Sequence, residues 1–279
     1  MKNFVLIGNG FIAQKHKEAI NNLPDANLLA VSDLVEAYDR VEKEPFYVQW
    51  AHMLKELRSA IDYIVICTPS HTHMNIIKKC FELCPDASII CEKPIATNKS
   101  DYEELLSYEV AGKKIFTTIQ LSHNLELAEE MKMALIKTKP NEIKIKFLVS
   151  RDENYMSSWK GNPEESGGIL YNLGIHYFDL LLRHFGNPTW KEIEIYNKTK
   201  AKGSIKLENA WVDFEFSLEQ PKDQQVREFI INNTIINLNS FNNSHNVCYT
   251  DIVSGTGITI KDQNELYKLM EYFRSELCT

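Results

Sequence analysis

The sequence predicts a doubly wound parallel α/β domain followed by an α+β domain whose sheet is largely antiparallel and open. Three observations carry this reading. Short apolar runs alternate with helical periodicity over the first ~120 residues. The first run breaks into a glycine turn, and the second ends on an acid. Beyond a connecting helix the apolar runs become longer and alternate with polar residues, as strands do when one face is buried.

Taken in order, the runs Phe4–Ile7, Leu28–Val31, Tyr63–Cys67, Ser88–Cys91 and Ile115–Ile119 read as strands with helices between them. Gly8-Asn9-Gly10-Phe11-Ile12-Ala13 follows the first strand with the spacing GxGxxA. Gly8 permits a tight turn, Gly10 leaves room for a pyrophosphate at the backbone, and Ala13 allows close helix packing. The helix start then presents free N–H groups to phosphate. Asp33 closes the second strand, where a carboxylate accepts hydrogen bonds from the adenosine ribose. It would repel a 2′-phosphate and no Arg follows immediately, so the expected cofactor is NAD rather than NADP. A helix is expected over Leu125–Lys137, then strands over Glu142–Ser150, Trp190–Asn197, Ala210–Leu218 and Thr234–Leu238. Gly168–Phe185 has helical spacing and reads as a buried helix on the sheet, Asn232–Asn246 as turns, and Gln263–Glu276 as the closing helix. The boundary falls near residue 120, giving a Rossmann domain over 1–120 and a substrate-binding and oligomerisation domain over 121–279.

With 279 residues, 44% of them hydrophobic, the chain can bury a substantial core. A net charge of -7 argues against a nucleic-acid surface. No apolar run reaches membrane-spanning length and no charged leader precedes the first strand, so a cytoplasmic protein without membrane attachment is expected. Cys67, Cys80, Cys84, Cys91, Cys248 and Cys278 lack CxxC pairing and sit mostly in apolar stretches. They read as reduced core thiols, with no structural metal.

Four stretches carry residues suited to chemistry. Thr68-Pro69-Ser70-His71-Thr72-His73 follows the third strand at its carboxyl end, where such sheets bind ligands. His73 there either borders the cofactor or packs at the helix start. Lys93 of Glu92-Lys93-Pro94 ends the next strand at the same edge, either as a solvated charge or as an ammonium polarising a carbonyl, and its bond to Pro94 is a candidate for the cis form. Asn172 and His176 stand four apart in an apolar helix, so both share one face. His176 is either a satisfied core histidine or a general base for a sugar hydroxyl. Tyr155, Ser158, Trp159 and Lys160 form a polar-aromatic stretch suited to a loop over substrate, with an anchoring Trp as the other reading.

Together these motifs resemble the Gfo/Idh/MocA family of nicotinamide-dependent sugar oxidoreductases. Ser158-Trp159-Lys160-Gly161, Ser166-Gly167-Gly168-Ile169 and Asn172 to Asp179 are similar to the UDP-N-acetylglucosaminuronate 3-dehydrogenases of bacterial surface-polysaccharide (O-antigen) synthesis, as are Leu207–Val212 and His245–Gly257. The resemblance implies that His176 deprotonates the sugar C3 hydroxyl, the C3 hydride passes to NAD, Lys93 steadies the incipient ketone and Asn172 orients the hydroxyl or His176. It implies a UDP-linked uronic acid as substrate, 2-oxoglutarate as recycling oxidant, and a homodimer or homotetramer. Expected cofactor contacts are Gly8, Gly10, Phe11, Ile12, Asp33, Thr68, Pro69, His73, Glu92, Lys93 and Gln120. Expected substrate contacts are Lys93, Tyr155, Ser158, Trp159, Lys160, Asn172 and His176. Two departures stand out. Ser122 occupies a position where the subgroup usually has Arg, which removes a bidentate anion contact, and the loops after Asp33 are trimmed. Oxidation or reduction of another sugar, and NAD binding without turnover, remain as alternative readings.

Overall fold

The computed structural model describes residues 1–34, 44–136, 140–236 and 244–276. Its contacts divide the chain into two units: Met1–Ala96 with Ser100–Thr118 and His245–Asp262, and Thr97–Lys99 with Ile119–Ser244 and Gln263–Thr279. Where the sequence reading drew one cut near residue 120, the contacts return a segment near the C-terminus to the first unit.

In the first unit, β1 (Lys2–Ile7), α1 (Ala13–Asn22), β2 (Ala26–Ser32), β3 (Phe46–Tyr47), α2 (Trp50–Leu57), β4 (Tyr63–Ile66), α3 (His73–Leu83), β5 (Ser88–Glu92), α4 (Lys99–Val110) and β6 (Ile115–Thr118) follow one another; the alternation is as expected except for the two-residue β3, which the sequence reading did not contain. The strands form one parallel sheet in the order β3-β2-β1-β4-β5-β6. This places the carboxyl ends of β1 and β4 side by side at the centre, where chain direction reverses and ligands bind. Every residue of β4 and β5 is buried, which explains their unbroken apolar runs.

The second unit contains α5 (Leu125–Ala134), β7 (Asn141–Leu148), α6 (Glu153–Ser157), α7 (Pro163–Ser166), α8 (Ile175–Phe185), β8 (Pro188–Tyr196), β9 (Lys200–Leu207), β10 (Ala210–Ser217), β11 (Val226–Ile231) and β12 (Thr234–Ile235). Its sheet runs β12-β11-β7-β10-β9-β8 and is antiparallel except that β7 and β10 pair in parallel. Along β7 the burial alternates, with Ile143 and Ile145 inside and Glu142, Lys144 and Lys146 outside. The inner face packs on α8 and α10 (Asn264–Ser275), where Phe178 lies against Phe214 and Phe273 at ring separations of 5.3 and 5.5 Å.

Several elements differ from the sequence expectation. β9 was not expected: its inward residues are Ala201, Gly203, Ile205 and Leu207, and the small members blunt the apolar alternation. β11 was also not expected. The strand expected over Thr234–Leu238 is only Thr234–Ile235 among the described residues, and Lys137, Leu238 and Cys278 lie outside them. The Asn-rich stretch expected to turn contains the start of α9 (Ser244–Ser254), whose Cys248, Tyr249 and Ile252 join Phe4, Leu6 and Ile20 in the core of the first unit. The helix expected over Gly168–Phe185 is a π-helical turn, Leu170–Gly174, leading into α8. The Lys93–Pro94 peptide is cis.

Cys67, Cys80, Cys84, Cys91 and Cys248 are free and buried, and burial pushes each thiol up, away from nucleophilic chemistry. Among the described residues no helix is long and apolar enough to cross a membrane.

Candidate functional site

In the first unit the glycine turn is built around backbone space. Gly8 has φ +92°, and a Cβ there would lie 2.9 Å from the Cys67 carbonyl carbon, so only glycine fits. A Cβ on Gly10 would meet nothing within 4 Å, leaving the approach to that backbone open. No side chain caps α1, although the N–H groups of Ala13 and Lys15 donate to the Gly10 and Ile12 carbonyls at 3.2 and 3.0 Å, so the positive end of the helix is left without a side-chain acceptor. The Asp33 carboxylate accepts from the backbone N–H of Asn9 and of Leu34, each at 2.6 Å. It therefore holds the glycine turn against β2. Phe11 is exposed, Ile12 half-buried and Ala13 buried.

The Thr68 loop is tied to β5 by His73. Its Nε2 lies 2.9 Å from the Thr68 carbonyl oxygen and its Nδ1 3.0 Å from that of Pro94, with the ring 1% exposed. Burial pulls its pKa down, outweighing the two carbonyls. Thr72 supports the same loop through its hydroxyl, which donates to the Pro69 carbonyl at 2.7 Å.

Glu92, at the end of β5, is buried and accepts at Oε1 from His16 Nε2 and from the Thr118 hydroxyl, both at 2.8 Å. His245 Nε2 faces the same oxygen at 3.6 Å, and His16 Nδ1 lies 2.8 Å from the Tyr249 hydroxyl. Burial works to raise the Glu92 pKa, but the hydrogen bond from His16 and the nearby His245 ring bring it well below the usual carboxylate range. Burial lowers the pKa of His16, so its neutral ring donates at Nε2 and accepts from Tyr249 at Nδ1. The donor atoms of His16, Glu92 and His245 all lie within 4.8 Å of one another. Two ligands of a tetrahedral zinc stand roughly 3.3 Å apart given bonds of about 2.0–2.1 Å. The 2.8 Å His16–Glu92 contact is shorter, and the cluster is built as a hydrogen-bonded network. Lys93, next in the chain, is half-buried.

In the second unit Asn172 sits in the π-helical turn and His176 in the first turn of α8. Both are half-buried among buried neighbours. Asn172 Nδ2 donates to the Tyr155 hydroxyl at 2.6 Å. Burial raises the Tyr155 phenol pKa, against the pull of Arg151, whose guanidinium stacks 5.0 Å from the ring centroid. Ser158 is a local brace: its hydroxyl donates to the Tyr155 carbonyl at 2.7 Å and accepts from Lys160 N–H at 3.3 Å. The Lys160 ammonium lies 5.7 Å from the centre of the Trp159 ring, so one side of the indole already has a partner. Gln120 is half-buried and opens a 3-10 turn. Ser122, in that turn, donates its hydroxyl to Asp179. Asp179 also accepts from Arg183 Nε at 2.8 Å, Arg183 Nη2 at 3.1 Å and Gln263 Nε2 at 3.1 Å.

The expected site residues thus form two sets, one in each unit. Sequence reasoning missed Arg151, His16 and Tyr249 as site-supporting residues. His16 follows the GxGxxA turn by three residues, which is a local signal. Arg151 stands four residues before Tyr155, a spacing that gives a local signal only if that stretch is helical, and Tyr249 carries none, because its partner is brought to it by folding.

Two family signatures match the chain. Residues 2–119 match the "Oxidoreductase family, NAD-binding Rossmann fold", and residues 139–217 match the "Oxidoreductase family, C-terminal alpha/beta domain". The chain belongs to the Gfo/Idh/MocA family of oxidoreductases. Among curated family members, it is 28% identical over 187 residues to myo-inositol 2-dehydrogenase of Thermotoga maritima, covering 63% of this chain and 52% of that enzyme. It is 24% identical over 196 residues to glucose-6-phosphate 3-dehydrogenase of Bacillus subtilis, covering 65% and 53%. The chain therefore spans about half the length of the curated relatives it matches. Among solved structures it shares the fold of the WlbA (WbpB) dehydrogenase from Thermus thermophilus in complex with NAD and UDP-GlcNAcA, with TM-score 0.86 and 24% identity over 97% of this chain and 94% of that one. The WlbA dehydrogenase from Bordetella pertussis, in complex with NADH and UDP-GlcNAcA, gives TM-score 0.78 at 17% identity, covering 99% and 96%.

The first unit of this family member is an NAD-binding Rossmann domain, and its residues fit the dinucleotide. Gly10 leaves the backbone open, the α1 start is uncapped, and Asp33 retains lone pairs beyond the two it gives to backbone N–H groups.

Proposed function

We propose that the protein, an NAD-dependent oxidoreductase of this family, oxidises the C3 hydroxyl of a UDP-linked, N-acetylated amino uronic acid to the 3-keto sugar. The observation that carries the reading is His176 one helical turn from Asn172, with Asn172 held by Tyr155. The likeness to the WlbA dehydrogenases supports the sugar nucleotide, and the motifs from Ser158 to Asp179 support the uronic acid.

In this reading the neutral His176 imidazole accepts the hydroxyl proton as the carbon surrenders hydride. When bound, NAD supplies the hydride acceptor. Lys93 donates a hydrogen bond to the developing carbonyl oxygen, and Asn172 orients the hydroxyl. Asn172 is neutral and does not stabilise an imidazolium as a carboxylate would, so the electrostatic part falls to Lys93. Gly8, Gly10, Asp33 and Thr68 hold the dinucleotide. His73 serves it indirectly, by bracing Thr68. The 3-keto product suits an aminotransferase, and 2-oxoglutarate is the proposed recycling oxidant. The outer face of the second sheet, carrying Trp190, Ile195 and Trp211 at 43–44% exposure, is proposed to pair with a second copy in a homodimer or homotetramer.

A second reading has a specific observation behind it: several matching curated sequences are inositol 2-dehydrogenases, whose substrate is an uncharged cyclitol. One assay separates the two. NADH formation is followed with UDP-N-acetylglucosaminuronic acid, UDP-N-acetylglucosamine and myo-inositol, with 2-oxoglutarate added and products identified by mass spectrometry. A keto product from the uronic acid alone is expected. Turnover of inositol alone moves the assignment to the second reading, and NAD binding without any product removes both.

A further inference from the structure

We infer that Arg151 is the residue that reads the substrate's carboxylate, a specificity determinant placed on the loop between β7 and α6. The inference rests on the reading of the Asn172–His176 face as the sugar site.

The argument begins with the guanidinium that Ser122 lacks. A uronate needs a cationic partner, preferably one with two parallel N–H groups. Beside Ser122 stands Arg183, but its Nε and Nη2 are both committed to Asp179, which is 2% exposed and also holds Ser122 and Gln263. Drawing Arg183 away would leave a buried carboxylate short of its cation. Of the other arginines in this unit, Arg274 donates to the Thr97 carbonyl, and Arg227 is exposed and stacked 5.4 Å from the centre of the Phe147 ring.

Arg151 differs from all three. Its guanidinium lies 5.0 Å from the centre of the Tyr155 ring, and the hydroxyl of that same ring accepts from Asn172 at 2.6 Å. One phenol therefore separates the cation from the amide that shares a helix face with His176. Contact with the ring holds the guanidinium beside the phenol, and a guanidinium so held can meet a planar carboxylate with two parallel N–H groups. Among the described residues no carboxylate pairs with Arg151, and its Nε is buried with no hydrogen-bond partner. A buried charged donor in that condition is what a substrate anion would satisfy. Lys160 is the competing cation nearby. It is an exposed point charge resting on Trp159, without a fixed direction for a two-point contact.

The test measures affinities of the NAD-loaded protein for UDP-N-acetylglucosaminuronic acid and UDP-N-acetylglucosamine by calorimetry, in the parent, Arg151→Met, Arg151→Lys and Lys160→Ala. The parent is expected to favour the acid by about ten- to hundredfold. Arg151→Met collapses that ratio toward one, Arg151→Lys keeps part of it, and Lys160→Ala keeps most. Thermal melts and NAD titrations of each variant establish that it is folded. A ratio unchanged in Arg151→Met, or no preference in the parent, overturns the assignment. If the parent binds neither sugar nucleotide, the substrate reading fails, and 2-oxoglutarate then serves as the carboxylate probe. Binding that Arg151→Met abolishes keeps Arg151 as the anion contact. Binding that survives, or is absent in the parent, overturns it.

Discussion

Asn172 donates a 2.6 Å hydrogen bond to the hydroxyl of Tyr155, a residue of α6 that precedes it by 17 positions. The amide thereby has one fixed orientation, with its carbonyl oxygen turned away from the phenol. Tyr155→Phe removes the acceptor while keeping the ring under Arg151. It is expected to lower kcat/KM by about tenfold, the worth of one hydrogen bond at ~1 kcal/mol plus the disorder it releases. An unchanged kcat/KM would separate Asn172 orientation from turnover.

Replacing Asn172 by Asp places a carboxylate one turn before His176. An anion there favours the imidazolium, so the pKa of His176 rises and more acid must be removed before it can act as base. The acidic limb of the kcat/KM profile is expected to move to higher pH in Asn172→Asp. A profile that stays in place would remove His176 as the titrating base.

The glycine turn offers a pair of variants with opposite signatures. Gly8→Ala puts a Cβ 2.9 Å from the Cys67 carbonyl carbon at φ +92°, and is expected to lower the melting temperature as well as NAD affinity. Gly10→Ala meets nothing within 4 Å in the protein, so the melt stays put while NAD affinity falls by about tenfold or more. Calorimetry against NAD, beside thermal melts, reads both; full NAD affinity in Gly10→Ala would argue against the proposed pyrophosphate approach.

The Glu92 network makes stability depend on acid. His16 has a folded pKa below 6.5, so the unfolded chain binds its proton first and stability begins to fall as pH drops below 6.5. Glu92 has a folded pKa well below 4.5, so its contribution is complete above 4.5 and is lost as pH falls through the folded value. Both slopes have the same sign. Glu92→Gln is expected to cost about 3 kcal/mol at neutral pH, because it leaves the histidines facing an amide, and to flatten the stability profile below pH 4.5. Denaturant titrations from about pH 2 to 8 measure this.

His73 sits between two backbone segments, 2.9 Å from the Thr68 carbonyl oxygen and 3.0 Å from that of Pro94, and its neutral ring donates its one N–H to one of them. His73→Leu is expected to cost about 1–3 kcal/mol, the penalty for stranding buried polar groups, and to weaken NAD binding severalfold as the Thr68 loop loosens. Unfolding curves and NAD titration test the two effects separately, and an unaltered NAD affinity would confine His73 to stability.

By itself the sequence determined the parts of this protein whose signals are local. GxGxxA after an apolar run, an acid at the end of the next strand, and Asn172 four residues before His176 are periodicities and spacings within one or two elements, and the first sheet follows from them. What the tertiary structure alone decided is which distant residues meet. The return of α9 to the first unit brings His245 and Tyr249 to Glu92 and His16, with 233 positions between His16 and Tyr249. The parallel pairing of β7 with β10 and the strand β9, with its small inward residues, were likewise decided by neighbours. So were the hydrogen bond from Ser122 to Asp179 and that from Asn172 to Tyr155. The physical reason is the same in each case. Periodicity records which face of an element is buried, whereas the partner across that face is chosen by packing and charge complementarity that no single stretch of chain contains.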